Sequence, residues 1–152
     1  MEVRCTQCGA PLTVPPDRRL LACPYCSSSL VIDAGESLFH EVLTPTVQGA
    51  QVQAHLRRFL AGRDTAAGLD REARIGAPAL EYFPFWAFTI DGPSGEKVVL
   101  QPAAPSALQG LQGLEMPAAD SRPWSEELTA GAPVTAPEVP AATARRWLQE
   151  RH

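Results

Sequence analysis

Four cysteines near the start of the chain have the type and spacing needed to bind a metal ion. Cys5 and Cys8 are separated by two residues, and after a gap of fourteen residues Cys23 and Cys26 repeat that spacing. Each Cys-x2-Cys pair forms a tight turn whose backbone amides stabilise the thiolates. Gly9 follows the second cysteine, where such a turn commonly needs a positive φ. Four thiolates complete a closed tetrahedral sphere, which is the geometry of structural zinc.

No arrangement of residues in the sequence indicates catalysis. A catalytic zinc keeps an open coordination position, usually beside histidine or carboxylate ligands, and no histidine precedes His40. Neither His40 nor His55 has a serine, cysteine or acid at catalytic spacing. A glycine-rich phosphate loop, a nucleophile elbow and a His-Glu-x-x-His motif are all missing. We therefore expect no enzyme activity, no catalytic residue and no organic cofactor.

Short apolar segments around the cysteines predict the elements that position them. Strands are expected at residues 12–14, 20–22 and 30–32, the first two joined by the turn at residues 15–18. A module this small cannot bury enough apolar surface to fold alone, so the metal must supply much of its stability. The stretches CTQCGAPL and CPYCSSSLVI resemble the zinc-ribbon family, over residues 1–33. The resemblance implies that one structural zinc is held by the ligands Cys5, Cys8, Cys23 and Cys26.

The rest of the chain predicts a small α+β domain and a proline-rich tail. We expect a zinc ribbon at residues 1–33, with the small polar run 33–37 as a linker, and an α+β domain at residues 34–101. Residues 102–140 contain seven prolines with many alanines and glycines, and predict an irregular segment. Residues 141–152 predict a short C-terminal helix. Residues 36–152 are expected to stay folded without the metal, because they have a core of their own. The residues expected in that core are Leu56, Phe59, Tyr82, Phe85, Trp86 and Phe88.

Two patterns define the expected α+β domain. A helix over residues 50–61, with Thr46 as its cap, is predicted because Val52, Leu56, Phe59 and Leu60 share one face. The stretch Leu80–Ile90 is apolar in both alternating sets, which predicts a strand buried on both faces of a hairpin with residues 97–101. Its YFPFW letters resemble, more loosely, a strand that follows an N-terminal ribbon in uncharacterised bacterial proteins. Pro84 indicates an edge position or a bulge.

Composition limits the partners that the chain can have. The net charge is −4, and the predicted ribbon is neutral, with three arginines against three acids. This balance argues against nucleic-acid binding, which normally needs a surplus of basic residues. No apolar run is long enough to span a membrane and no signal peptide is visible, so we expect a cytoplasmic protein. These features are compatible with peripheral association with a membrane complex.

The sequence therefore favours a non-enzymatic accessory or adaptor protein that contacts another protein within a larger assembly. The aromatic strand and the C-terminal tail are the expected contact surfaces. In the terminal helix Ala144, Trp147 and Leu148 share a face, which we expect to dock into a groove of the partner. Two alternatives remain open at this point: a nucleic-acid-binding ribbon of transcription or replication, and a rubredoxin-like electron carrier with iron at the cysteines.

Overall fold

The computed structural model describes residues 1–106, 111, 113–116, 121–129 and 131–150. The chain forms two compact units. One contains Met1–Thr44 together with the chain from Glu81 onward, and the other is Pro45–Leu80. The predicted residues Arg151 and His152 of the terminal helix lie outside the described residues.

The described elements are mostly short strands. The strands in chain order are β1 (Glu2–Arg4), β2 (Pro11–Thr13), β3 (Leu20–Ala22), β4 (Ser29–Asp33), β5 (Glu36–Phe39), β6 (Glu41–Leu43), β7 (Phe85–Gly92), β8 (Gly95–Pro102), β9 (Leu114–Glu115) and β10 (Ser121–Pro123). The helices are α1 (Ala50–Leu60), α2 (Leu69–Glu72) and α3 (Ala141–Gln149). None of these helices of the described chain is long and apolar enough to cross a membrane.

The N-terminal module consists of antiparallel hairpins that carry the cysteines. Strand β1 pairs with β2, and β3, β4 and β5 form a three-stranded sheet in that order. The segment predicted as a linker is instead the tight turn between β4 and β5, with Asp33 paired to Glu36. Ala34 and Gly35 have φ angles of 48° and 88°, and two successive positive φ values characterise a type I′ turn. The predicted boundary at residue 33 therefore lies inside a continuous sheet.

A small aliphatic core fills the space between these hairpins. Alternation along each strand sends every second side chain inward, because successive residues of a strand face opposite sides. The buried cluster combines aliphatic residues with two of the cysteines and contains Val3, Cys5, Leu12, Val14, Cys23, Leu30 and Ile32. With so few apolar side chains, the module depends on further support for stability.

Helix α1 occupies the predicted place in the second unit, but it begins differently from the prediction. Thr46 does not cap it; the N-cap is Gly49, which has no side chain to bond the first turn. No residue of α1 or α2 is buried. Leu56 and Phe59, which the sequence placed on an inward face, are 40 % and 64 % exposed.

The predicted hairpin is present, but its aromatic strand is not buried on both faces. Strand β7 pairs with β8 from Phe85 to Gly92, at the edge of the sheet β7-β8-β9. Trp86, Phe88 and Ile90 are half-buried, whereas Ala87 and Thr89 on the other face are exposed. Helix α3 packs on β7 and β8. Strand β7 is therefore more exposed on the face of Ala87 and Thr89 than on the face of Trp86, Phe88 and Ile90.

The C-terminal helix α3 packs against strands β7 and β8 of its own chain. Ala144 and Leu148 of α3 are buried, with 0 % and 6 % exposure, while Trp147 is 39 % exposed. The Arg145 guanidinium lies 5.7 Å from the Phe88 ring centroid, within the range of a cation–π contact. The expectation that the whole apolar face docks into a partner groove is wrong, because its two buried residues already contact this chain.

Residues 102–140 are tied to the same unit where the structure describes them. Strand β10 pairs with β6, and Val134 forms a parallel bridge with Tyr82. The N–H groups of Glu138 and Val139 both donate to the Ala103 carbonyl. Proline limits this segment to short pairings, since it removes a backbone donor.

Candidate metal centre

The first cysteine turn has the backbone geometry that the sequence predicts. The Gly9 N–H donates to the Cys5 carbonyl at 2.8 Å, and the Cys5 N–H donates to the Ala10 carbonyl at 2.9 Å. Gly9 has a φ of 72°, a left-handed conformation that glycine adopts without strain. The turn folds the chain tightly enough to bring Cys8 back beside Cys5.

The second cysteine turn repeats the first, bond for bond. The Ser27 N–H donates to the Cys23 carbonyl at 2.8 Å, and the Cys23 N–H donates to the Ser28 carbonyl at 2.9 Å. Ser27 takes the place of Gly9 and has a φ of 61°. A non-glycine residue is uncommon in this conformation. Both turns therefore have the same backbone conformation, although only the first has a glycine at this position.

The two turns bring the four predicted cysteines together. Their sulfur atoms all lie within 4.8 Å of one another. The Sγ atoms are 3.7 Å apart between Cys5 and Cys26, and 3.8 Å apart between Cys8 and Cys23. A tetrahedron with metal–sulfur bonds of about 2.3 Å has edges of about 3.8 Å, whereas a disulfide bond would be about 2.05 Å. The cluster therefore has the dimensions of a metal site, and four thiols are a donor set that zinc takes in structural sites.

The four thiols differ in their surroundings. Cys5 and Cys23 are buried in the aliphatic core, Cys26 is half-buried, and Cys8 is exposed. Strands β1 and β3 position the two buried cysteines, because Cys5 directly follows β1 and Cys23 directly follows β3. The exposed Cys8 sulfur gives solvent and metal access to one side of the cluster.

The protonation of the thiols is set by their hydrogen bonds. The Ser28 hydroxyl, followed by the Ser28 backbone N–H, lowers the pKa of Cys26 to about 6. The Ala10 backbone N–H acts to lower the pKa of Cys8, but desolvation and the three neighbouring thiols outweigh it and raise that pKa to about 12. Clustered thiols cannot all ionise easily without a cation, since each thiolate repels the next. Metal binding at this site must therefore release protons.

Ser37 supports the cluster from the neighbouring strand, a role that the sequence did not indicate. Its hydroxyl donates to the Arg4 carbonyl at 2.6 Å and accepts the Thr6 N–H at 3.0 Å. The Thr6 hydroxyl in turn donates to the Ser37 carbonyl. Ser37 is buried and lies in β5, so the strand beyond the predicted ribbon holds the first cysteine turn on both sides of Cys5.

The histidines lie apart from the cysteine cluster. Within the described residues, the four cysteines are the one group of three or more potential metal ligands close enough to share an ion. His40 stacks on Trp124, with ring centroids 5.0 Å apart, and burial lowers its pKa. It borders a shallow cleft of about 310 Å³ whose lining residues are Gln7, Ser28, Ser29, Phe39, His40, Glu41 and Pro123. His55 is exposed on α1.

Comparison with known proteins does not identify a family for this chain. Comparisons of the chain with protein families, with curated proteins and with solved structures find no match. The zinc-ribbon resemblance therefore depends on the cysteine spacing and on the clustered sulfurs.

Proposed function

We propose that this chain is a non-enzymatic accessory protein, in which one structural zinc ion supports a ribbon that contacts another protein. The observation that carries the proposal is the closed set of four sulfurs at tetrahedral spacing. Four protein ligands leave no coordination position for a substrate or an activated water. Such a centre contributes folding energy rather than chemistry.

Zinc suits the site better than iron because of the residues around the sulfurs. The side chains packed with the cysteines are aliphatic, and Leu21 and Cys26 complete the cluster at its margin. Zinc has no redox chemistry, so it fits a site whose Cys8 sulfur is exposed to solvent. Elemental analysis of purified protein should give one zinc per chain. A red protein containing iron would instead identify an electron carrier.

Aromatic side chains on the surface support a protein partner. Tyr25 on the second cysteine turn is 69 % exposed, and Phe39, beside the cleft, is 53 % exposed. Trp147 of α3 is 39 % exposed, and one face of β7 is exposed at Ala87 and Thr89. Aromatic residues are enriched in the cores of protein interfaces. Trp147 and β7 belong to the contact surfaces that the sequence predicts, whereas Tyr25 and Phe39 lie outside them.

The test is purification of the tagged chain from its host at native expression level, with quantitative identification of bound proteins. We expect a partner at a fixed ratio that is lost in Cys23→Ser and reduced in Phe39→Ser or Trp147→Ala. Leu128→Ser is the matched control, because Leu128 is similarly exposed at 41 % but lies away from these aromatic positions in the sequence. Recovery of the same proteins with every variant would contradict the proposal.

A further inference from the structure

Helix α1 exposes apolar side chains that no described residue buries. Counting 100° per residue, Val52, Leu56, Phe59 and Leu60 fall within an arc of about 100°. Phe59 is 64 % exposed and Leu56 is 40 % exposed, although both belong to this arc. Val52 and Leu60 are half-buried, and α1 contacts α2 within its own unit. The helix thus presents Phe59 and Leu56 outward from a unit that has no buried core of its own.

Positive charge lies on α1 and just after it. By the same count, Arg57 lies about 60° from Leu60 at the edge of the arc, whereas Arg58 lies on the opposite face of the helix. Arg57, Arg58 and Arg63 lie on or just after α1, and the sequence contains no acid between Glu41 and Asp64. None of the three arginines forms an ion pair with another described residue. The unit Pro45–Leu80 carries a net charge of +2, whereas the remainder of the chain carries −6. Basic charge is therefore concentrated in the unit that contains the exposed Phe59.

We propose that α1 is an interfacial helix that binds the surface of an anionic membrane. Exposed apolar side chains flanked by arginine are the features of helices that lie in the headgroup region. Arginine stems can extend along the apolar boundary while their guanidinium groups reach lipid phosphates. A lipid surface needs only these two features. Nucleic acid would not use the exposed Phe59 and Leu56 of a helix in an acidic chain, and a protein groove would require a matching shape. This proposal is independent of the zinc centre and goes beyond the proposed accessory function.

The test is flotation of the full zinc-loaded chain with lipid vesicles. One set contains phosphatidylcholine alone, and the other contains about one quarter phosphatidylglycerol. We expect binding only to the anionic vesicles, with weakening as salt is raised. The variant Arg57→Gln should lower the partition coefficient about fivefold, which is the contribution of one arginine near an anionic surface. Phe59→Ser should lower it about tenfold through lost apolar burial.

Matched variants outside α1 test whether vesicle binding depends on this helix or on exposed arginine and apolar residues anywhere in the chain. Arg18→Gln removes an exposed arginine elsewhere, and Leu128→Ser removes an apolar side chain that is 41 % exposed. Both controls should bind like the unaltered chain. No vesicle binding, equal binding to neutral vesicles, or full binding by Phe59→Ser would each overturn the proposal. So would arginine-dependent binding of a duplex oligonucleotide without vesicle binding, which would identify α1 as a nucleic-acid contact.

Discussion

Ser27 occupies a backbone conformation that suits glycine better. Its φ of 61° is left-handed, and the equivalent residue of the first cysteine turn is Gly9. A residue with a Cβ atom in this conformation is strained by roughly 1–2 kcal/mol. We expect Ser27→Gly to stabilise the zinc-loaded protein by about 1 kcal/mol, after allowing for the greater freedom of glycine in the unfolded chain. Urea denaturation followed by circular dichroism measures this change.

Ser27→Ala is the matched control for that variant. It also removes the hydroxyl but retains the Cβ atom, so it should give no comparable gain. Ser27 is exposed, and its side chain makes no hydrogen bond to the cluster among the described contacts. An equal gain from both variants would show that backbone strain is not the cause.

Ser28 tunes the acidity of the cluster, so its removal should change the pH at which the metal is released. Its hydroxyl and N–H lower the pKa of Cys26 to about 6, which keeps that thiolate available until the pH falls below this value. Ser28→Ala removes the hydroxyl, whose oxygen lies 3.3 Å from the Cys26 sulfur, and raises the pKa of Cys26, so protons compete with zinc at a higher pH. We expect the midpoint of zinc release to move upward by about half a pH unit. A zinc-sensitive dye in a pH titration measures it.

Ser27→Ala again serves as the control, because it alters the adjacent hydroxyl without altering a bond to sulfur. Its release midpoint should match that of the unaltered protein. A downward shift, or no shift, in Ser28→Ala would show that the Ser28 hydroxyl does not lower the pKa of Cys26.

At the residue scale, the sequence predicted the metal ligands, which are close together in the chain. It did not predict the hydrogen bonds that a distant strand makes to the first cysteine turn. The cysteine cluster follows from residue types at short spacing, since two tight turns create both halves of the site. The role of Ser37 depends on which strand lies beside the first turn. Its hydrogen bonds to Arg4 and Thr6 join residues more than thirty positions apart. A serine in a small polar run gives no local sign of this pairing.

At the element scale, periodicity predicted the existence of elements better than their burial. Helix α1 and the β7–β8 hairpin form where the patterns place them. The two-sided burial of β7 was wrong because burial depends on what covers each face, and Ala87 and Thr89 of β7 are exposed. The inward face of α1 was wrong for the same reason: a helical stripe shows amphipathicity, not the presence of a covering layer.

The packing of α3 predicts unequal effects for two neighbouring residues. Leu148 is 6 % exposed against the sheet, whereas Trp147 is 39 % exposed. Leu148→Ala should destabilise the isolated protein by about 2–4 kcal/mol through the cavity that it leaves. Trp147→Ala should cost less than Leu148→Ala, because Trp147 is partly exposed and its removal leaves an open surface rather than a closed cavity. Thermal denaturation of both variants tests this order, and a larger effect from Trp147→Ala would contradict the described packing.

At the scale of the molecule, the ribbon and the C-terminal helix are joined by polar contacts. The Asp33 carboxylate accepts the Ala141 N–H at 2.9 Å, at the N-terminus of α3. The cap residue Pro140 has no side-chain donor or acceptor, so Asp33 supplies the missing acceptor from the ribbon sheet. The Arg19 Nη1 group also donates to the Pro137 carbonyl at 3.1 Å. Residues separated by more than one hundred positions thus connect the metal module to the helix.

This connection predicts that removal of the proposed zinc ion affects more than the cysteine turns. Chelation should disorder β4 together with the cysteine turns and withdraw Asp33 from α3, so residues 36–152 should not remain unchanged, as the sequence alone suggested. Loss of a helix cap costs about 1 kcal/mol, which corresponds to about fivefold faster hydrogen exchange in the first turn of α3. Hydrogen exchange read by mass spectrometry, with and without chelator, measures this at Ala141–Ala144, and α1 in the other unit gives the internal reference.

The zinc-loaded Asp33→Ala variant distinguishes loss of the helix cap from unfolding of the cysteine turns. It should accelerate exchange in the first turn of α3 as chelation does, because the same acceptor is lost at Ala141. The cysteine turns should keep their protection in this variant, since their hydrogen bonds lie within residues 5–10 and 23–28. Asp17→Ala, in an exposed turn of the ribbon, should leave α3 unchanged. If chelation opens the ribbon while α3 exchanges at its original rate, the helix is held by Ala144 and Leu148 alone, and Asp33 does not couple it to the metal.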